Sequence, residues 1–500
     1  MIWVVGALLL AWIAWGPVVL VLAAAALLVP RLRWWVQDRL YIEPRIALRA
    51  AGAAVLLAGV VLVVPDGWLP IPQAPGVFAG PSYVGRPATP RAITSELPQN
   101  PQLPAVAPAA RPGPLGLQPE VETSWFGLQR CSRLEVTSTD LLVALCGDRS
   151  GPSLRLVDAD TMRPRATKDL PAADDRSSCE ADPLYLDAQD RAVVATTDRS
   201  VLVVGTASGK KVGLHTETTW DLKPYVPYAD CLVALAPDWA GRVWWASAKG
   251  LVGTIAPDTG DVRVLDLDEG VAHGFAADAD GGVILATDQA VHRLSVSDDG
   301  SPQVVWTAAT DHASGTTPVL VDGGAVAVTE TVKGQLSVVF LQRGTGEEVC
   351  RQAVFEKDEG AADAALAPVG PGVVVTNDHD YSSPRSTLLG FTSSHGIARV
   401  DLVDGSCAEQ WTSDQVAPGS GAVASWPNGL VYAWTKRPSL LGVSAWYVTG
   451  LDAATGRSMW SVRAGTGLLA SSFGSELTVG PGGSVWMGTM AGLVRVTDRS

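Results

Sequence analysis

The chain is short of positive charge. Its 500 residues carry 37 Lys and Arg against 51 Asp and Glu, a formal net charge of −14. Nucleic-acid binding needs a concentrated basic face, and this sequence has none, so that class of partner is set aside. Cysteines are few, six in all, and none forms a Cys-x-x-Cys or a metal-type cluster. A structural zinc site is excluded on spacing. The long C-terminal region also lacks a Gly-x-Ser-x-Gly nucleophile motif and a phosphate-cradling glycine loop between a strand and a helix. Helical periodicity is missing beyond residue 123. What remains is long enough to bury a large core but bears no mark of a hydrolase, a nucleotide enzyme or a zinc protein.

Charge is absent in another sense from residues 2–29, which contain no ionisable side chain. At ~1.5 Å per residue such a run exceeds a ~30 Å hydrocarbon core. No basic residue precedes it and no small-residue cleavage site follows, which argues against a cleaved signal peptide. A second apolar run, Ala50–Pro65, extends to Pro72 past Asp66, with Trp68 at an interfacial depth. Arg31, Arg33, Arg39, Arg45 and Arg49 all lie between them. The positive-inside rule then makes residues 1–72 a two-helix transmembrane hairpin with a cytoplasmic loop at 30–49. The expectation is an integral, two-pass protein of the cytoplasmic membrane with its N-terminus and all that follows the hairpin outside. Residues 65–119 hold 14 of the 34 prolines, so 73–121 reads as an extended extracytoplasmic linker, a spacer before the next domain.

From residue 123 the chain repeats itself with a period near 48. Short Val-rich strands end at Cys146, Thr196, Ser247, Thr287, Thr329, Thr376, Thr435 and Thr489. After each of the first seven come a strand, a turn and a further strand, with turns such as Asp258-Thr-Gly260, Gly344-Thr-Gly346 and Ala454-Thr-Gly456. Short strands with turn signals at this period predict an all-β propeller over 122–500, eight-bladed or alternatively seven-bladed. The last repeat stops after Leu493–Thr497, and the segment Glu122–Gln129 is a strand without a repeat of its own. Pairing the two would complete blade eight and remove two open sheet edges.

The segment Leu451-Asp-Ala-Ala-Thr-Gly-Arg-Ser-Met-Trp460 resembles the repeat of the pyrroloquinoline-quinone (PQQ)-like propeller family. In that family a Thr-Gly turn precedes a Trp that docks between neighbouring blades. Asp401 to Trp411 and Asp299 to Trp306 are degenerate copies, while Cys350 and Val264 stand where Trp460 stands. The resemblance implies the fold. The enzymes of the family use a vicinal disulfide, a Ca²⁺ and a catalytic Asp, and no motif here carries those over. No catalytic residue, cofactor or metal is therefore assigned.

The six cysteines read as structural bridges. The register of a hairpin turning at Ser138-Thr139, which sets Val136 opposite Leu141, puts Cys131 opposite Cys146. Cys179 and Cys231 open repeats two and three and are expected to pair as neighbours on adjacent inner strands; Cys350 and Cys407 remain, both near outer strands of adjacent blades, and make the third expected bridge.

Functional candidates lie in the two loops that exceed the others, 376–387 and 435–446, expected side by side on one face. Asp378, His379, Asp380, Tyr381, Arg385, Lys436 and Arg437 form the candidate interaction patch. Asp378-His379-Asp380 has the ligand types for a metal but as contiguous residues reads first as a loop making protein contacts. The acidic runs Asp174-Asp175, Asp266–Glu269 and Glu356–Glu359 add charge to that face, read first as soluble loops and then as a surface for a cationic partner. The expectation is a non-catalytic binding or scaffold module facing an envelope protein or cell-wall component. The alternative is a degenerate quinoprotein or small-molecule sensor with its site in the central channel.

Overall fold

The computed structural model describes residues 63–74, 79–148, 151–173, 183–206, 212–310, 315–437 and 443–499, together with 22–23, 25–39 and a scatter of positions between 45 and 59. Its strands form eight antiparallel sheets, the blades of a β-propeller. Blades 1 to 6 run through Arg130–Asp169, Leu184–Asp221, Leu232–Asp266, Phe275–Ala309, Val319–Ala353 and Ala367–Ser413. Blade 7 is Val423–Thr466, and blade 8 joins Leu477–Asp498 to the early strand Pro119–Trp125. The second strand of a blade meets a neighbouring blade on each face, so Ala192–Ala195, Val283–Ala286 and Gly372–Thr376 are buried at every position. That two-sided burial explains why these runs are almost wholly Val, Ile, Leu and Ala, with only Gly372 and Thr376 besides, and carry no charge. Outer strands are wetter: in Pro302–Ala309, Gln303, Val304 and Val305 are exposed while Trp306 is buried.

Such tryptophans stitch the seams. Trp306 of blade 4 lies on Gly346 of blade 5, and Trp411 of blade 6 on Gly456 of blade 7; a Cβ at either glycine would come within 2.4 Å of the ring. The indoles donate to Arg343 O at 3.0 Å and Ala453 O at 2.9 Å. Trp220 of blade 2 sits beside Gly260 of blade 3 in the same way. Blade 5 carries Cys350 at this station, and its disulfide to Cys407 of blade 6 replaces the indole with a covalent link. Cys131 and Cys146 are also bonded. Their hairpin register differs from expectation: Val136 faces Leu142 rather than Leu141, and a bulge between Cys131 and Arg133 restores the Cys131–Cys146 pairing. Cys231 is disulfide-bonded; its expected partner Cys179 lies outside the described residues.

The ring closes on itself. Pro119–Trp125 pairs with Gly492–Asp498 along its whole length, from Pro119↔Asp498 to Trp125↔Gly492. In blade 7 the turn is held by Asp452, whose Oδ1 accepts from Ala454 N at 3.1 Å and Thr455 N at 2.9 Å. Blade 8 has no covalent turn there, yet Asp498 accepts from Leu115 N at 2.6 Å and Gly116 N at 2.9 Å. Gly116, at φ +86°, lies under Trp460 as Gly456 lies under Trp411. Two chain ends thus rebuild the repeat's turn without a peptide bond between them.

The expected membrane hairpin is overturned. Among the described residues no helix is long and apolar enough to cross a membrane. The helix Pro30–Arg39 has ten residues and occupies the Arg-rich segment between the apolar runs. The extension of the second run is docked on the propeller instead: Asp66 pairs with Arg155 of blade 1 at 2.6 Å, Trp125 N donates to Leu69 O, and Arg163 lies 4.6 Å over the Trp68 ring. Without those residues the run Ala50–Pro65 would reach only about 24 Å at ~1.5 Å per residue, short of a ~30 Å core. The two-pass placement, with the N-terminus and propeller outside the cytoplasmic membrane, is withdrawn. Residues 1–21 and many between 40 and 62 lie outside the described residues.

The Pro-rich segment does not stand clear of the disc. Tyr83–Gly85 adds a fifth strand to the outer edge of blade 7. The chain then follows the bottom face, the side carrying the turns between first and second strands. Arg91 N and Ile93 N donate to Asn428 O and Trp426 O of blade 7, and Glu96 N to Asp322 of blade 5. Asn100 reaches Pro237 O of blade 3 at 3.1 Å. The chain next returns to blade 7, where Ala109 O accepts from Trp426 N and Arg111 O from Ser425 Oγ. Blades 3 and 7 face one another across a ring of eight, so the segment between residues 100 and 109 crosses the axis of the disc. Prolines suit this path because extended backbone with few N–H donors loses little by giving up the helix.

Candidate functional site

The N-terminal segment crosses the bottom of the channel, and among the described residues a cavity lies at the top. The top face carries the loops between blades and those between second and third strands. Here a cavity of about 350 Å³ opens into the channel mouth. Its walls come from the ends of several blades: Arg133 from blade 1, His273 from the entry to blade 4, Asp363 from that of blade 6, Ser420 from that of blade 7 and Glu476 from that of blade 8. The strap crosses the far end of the channel, and the cavity at the top is referred to below as the cup.

Its electrostatics are mixed. Arg133 is ion-paired with Glu476. Glu135 follows Arg133 two residues on, hence on the same face of the strand and one step down the channel. Burial pushes its carboxyl up to about 7, with the charge of Glu476 adding to the rise and Arg133 opposing it. Burial also lowers His273, against the pull of Asp363.

The two long loops meet beside this cup. Thr387 O accepts from Ser444 Oγ at 2.6 Å, and Lys436 Nζ donates to Phe391 O. The seven patch residues part company. Asp378 is buried, accepting from Gly419 N at 2.8 Å and from Asp363 N and Ala364 N at 3.1 Å; burial raises it to about 6 against those bonds. Tyr381 is buried with its hydroxyl 3.2 Å from Ser471 Oγ, and burial pushes it up to about 12. Lys436 is buried against Trp446, which lowers it to about 8. Arg437 lies 4.5 Å over the Tyr447 ring. His379 is half-buried with Nδ1 3.0 Å from Ser394 Oγ. Asp380 and Arg385 alone stand in solvent. Asp378, Tyr381 and Lys436 therefore shape the loop, and the exposed surface is Asp380 and Arg385 with Phe391, 67% exposed, and Leu388.

The sequence places only the alternative reading in the central channel, and of the residues that line the cup it singles out Asp378 and Tyr381, as part of the loop patch. The cup's own signal was present: Arg130, Arg133 and Glu135 punctuate a first strand that is otherwise apolar or small. Among the described residues no group of three or more His, Cys, Asp or Glu could hold a metal ion. Asp174-Asp175 and His312 lie outside the described residues.

Strand order and site define a closed eight-bladed propeller whose channel is crossed at one face by its own N-terminal segment. No protein-family model matches the chain. An uncharacterised protein of Archaeoglobus fulgidus is 22% identical over 323 residues, 55% of this chain and 62% of that protein. The chain thus spans less than two thirds of the length of this curated relative. Among solved structures, BamB from Moraxella catarrhalis is 14% identical with a TM-score of 0.48, covering 73% of this chain and 93% of that one. U3-55K is 11% identical with a TM-score of 0.44, over 65% and 93% of the two chains. A catalytically inactive virginiamycin B lyase from Staphylococcus aureus is 12% identical with a TM-score of 0.41, over 63% and 96%. These are likenesses of fold only.

Proposed function

We propose that the protein is a PQQ-like, non-catalytic binding or scaffold module that meets another protein through the top face of its propeller. The observation that carries this reading is the asymmetry of the two faces. The bottom is occupied by the chain itself. The top presents Phe391 and Leu388 on a loop braced by Lys436 and Ser444, with Asp380 and Arg385 at its edge. Exposed apolar groups rimmed by charge on a rigid scaffold fit a protein contact. Two disulfides between described residues favour work in an oxidising compartment, the cell envelope being the one that suits a scaffold.

The alternative, a sensor or degenerate quinoprotein, has the cup in its favour. The quinoprotein form lacks a fit: the sequence has no vicinal cysteines, and the described residues offer no ligand set for Ca²⁺. A photo-cross-linker placed at Phe391 in the full-length chain tests the scaffold reading against one at Gln99 on the bottom face. A discrete adduct from position 391 alone is expected. Equal adducts from both positions, or none from 391, would discard it.

A further inference from the structure

A strand at the edge of a sheet shows a row of unpaired N–H and C=O groups, and proteins guard such edges by covering them or by charging them. Every blade ends in an outer strand, so this propeller has eight edges to guard. Two are covered by the chain itself. Tyr83–Gly85 pairs with Ser458–Thr466 of blade 7, and on blade 8 Trp125 O accepts from Gly67 N at 3.1 Å while Trp125 N donates to Leu69 O at 2.9 Å. Five more carry exposed charge: Arg165 on blade 1, Glu217 on blade 2, Arg263 on blade 3, Arg351 on blade 5 and Glu409 on blade 6. The last, Pro302–Ala309 of blade 4, has no ionisable side chain in eight residues. Its Val304 and Val305 are 42% and 48% exposed. Among the described residues its backbone pairs only with Ala290–Val296 of its own blade.

The covered edge of blade 7 shows what would seal the bare one. Both outer strands bulge at the residue before the seam tryptophan, Met459 before Trp460 and Val305 before Trp306. In blade 7 the bulged Met459 O accepts from Arg86 N at 2.9 Å, and Arg463 N donates to Ser82 O at 2.9 Å. Val305 O and Ala309 N hold the same stations in blade 4, and both residues are exposed. Gly85 lies opposite Trp460 at φ +108°, where a Cβ would stand 2.2 Å from Met459 O. Because the added strand is antiparallel, Arg86 leaves toward the start of the outer strand. In blade 4 that end is acidic. Its own turn brings Asp298 and Asp299, and the turns of blades 3 and 5 bring Asp258 and Glu347, all four exposed. Those neighbours are tied to blade 4 by Thr254 Oγ1 donating to Gly300 O and by the Trp306 indole donating to Arg343 O.

We propose that the outer edge of blade 4 seats an extended segment of a partner protein, added antiparallel as a fifth strand. The segment places a Gly opposite Trp306, β-branched or aromatic residues before it and a basic residue after it. Main-chain bonds supply the hold. The bulge at Val305 demands the Gly, and the acidic turns select the basic residue. This seat lies on the rim and does not depend on the top-face reading. A second copy of this chain, pairing edge to edge, fits less well. Each copy brings a net charge of −14, and one strand a side falls short of the about 20–30 residues that a stable interface uses.

The chain's own segment supplies the probe: a peptide of residues 81–87, acetylated and amidated, with photoreactive benzoylphenylalanine in place of Tyr83. It is irradiated with the full-length protein and the adduct is mapped by tandem mass spectrometry. The adduct should fall on residues 302–309, and the same peptide carrying Gly85→Ala should give about tenfold less of it. That comparison uses the unaltered protein, so it stands whether or not a protein variant folds. Val305→Lys charges the edge, and Ala309→Pro deletes the donor equivalent to Arg463 N; each should lower the yield by about tenfold. The proposal is overturned by no adduct, by one mapped to blade 7 or the top face, by equal yields from the two peptides, or by full yield from both protein variants. It is also overturned if sedimentation shows a wild-type dimer that Val305→Lys splits, since a second copy then takes the edge. If the rim gives no adduct while the one from position 391 persists, this inference falls and the top-face reading stands.

Discussion

Gly456 shows how much a seam between blades asks of one residue. Its φ of +68° disfavours any side chain, and a Cβ would stand 2.4 Å from the Trp411 ring. Gly456→Ala should therefore lower stability by about 2–3 kcal/mol, read as a shift in the denaturant midpoint; a loss under about 0.5 kcal/mol would mean that the indole does not anchor blade 6 to blade 7. Glu135 makes a different residue-scale demand. Its folded value near 7 lies above the ordinary carboxylate value, so between about pH 4.5 and 7 the folded state holds more protons than the unfolded one. Stability must then fall as pH rises through that window, and the penalty is full above it. Glu135→Gln should stabilise the protein at pH 8 by about 2 kcal/mol and hardly at all at pH 4. Equal effects at both pH values would show that Glu135 is an ordinary solvated carboxylate. Neither residue was equally legible. The Thr-Gly…Trp spacing made Trp460 visible, whereas Glu135 looked like any polar residue in a strand because nothing local says that a first strand faces a channel.

At the scale of elements, composition foretold conformation better than position. The prolines dictated an extended chain, but where it lies depends on single carbonyls at Trp426, Asn428 and Pro237 that no pattern announces. The same holds for residues 66–71, whose apolar character suited either a membrane or the edge of blade 8. Docking makes a measurable claim: the amides of Arg91 and Ile93, bonded to blade 7, should exchange with deuterium at least about a hundredfold more slowly than a free chain would, equivalent to an opening cost of about 3 kcal/mol. Exchange at the free-chain rate would restore the spacer reading. The cysteines were the best read of the long-range contacts, since Cys350 occupies the repeat's Trp station and thus could be placed against the next blade. Its bridge closes a separation of 57 residues against 15 for Cys131–Cys146. Chain entropy gives about 4 and 3 kcal/mol respectively. The double variant Cys350→Ala, Cys407→Ala should accordingly lose more stability in urea than Cys131→Ala, Cys146→Ala. The reverse order would mean that strain or residual structure outweighs loop length.

The whole molecule depends on closing a ring, and a ring of blades needs one seam where the chain's own ends meet. The period counted along the sequence gave the blade number because each blade is one supersecondary unit with the same two turns. The incomplete last repeat and the orphan strand near residue 122 revealed the closure. What the sequence did not reveal is that Asp498 does for Leu115 and Gly116 what Asp452 does for Ala454 and Thr455. Each aspartate accepts from two successive backbone N–H groups at or beside the glycine under a tryptophan, but one joins residues already tied by a short turn and the other joins segments more than 380 residues apart. Removing Asp452 leaves the peptide chain to hold its turn together. Removing Asp498 takes from the bed of Trp460 its two bonds to blade 8, leaving it the bonds from Tyr83, Ala88 and Tyr432 and the ladder between Pro119–Trp125 and Gly492–Asp498, whose fraying then exposes open sheet edges on blade 8. Asp498→Ala should therefore cost about 2–3 kcal/mol and broaden the unfolding transition, while Asp452→Ala should cost about 1 kcal/mol and leave it cooperative. A calorimetric scan of the two variants decides the matter: equal losses, or a larger one at Asp452, would mean that the strand ladder alone secures the ring and that the rebuilt turn is incidental to it.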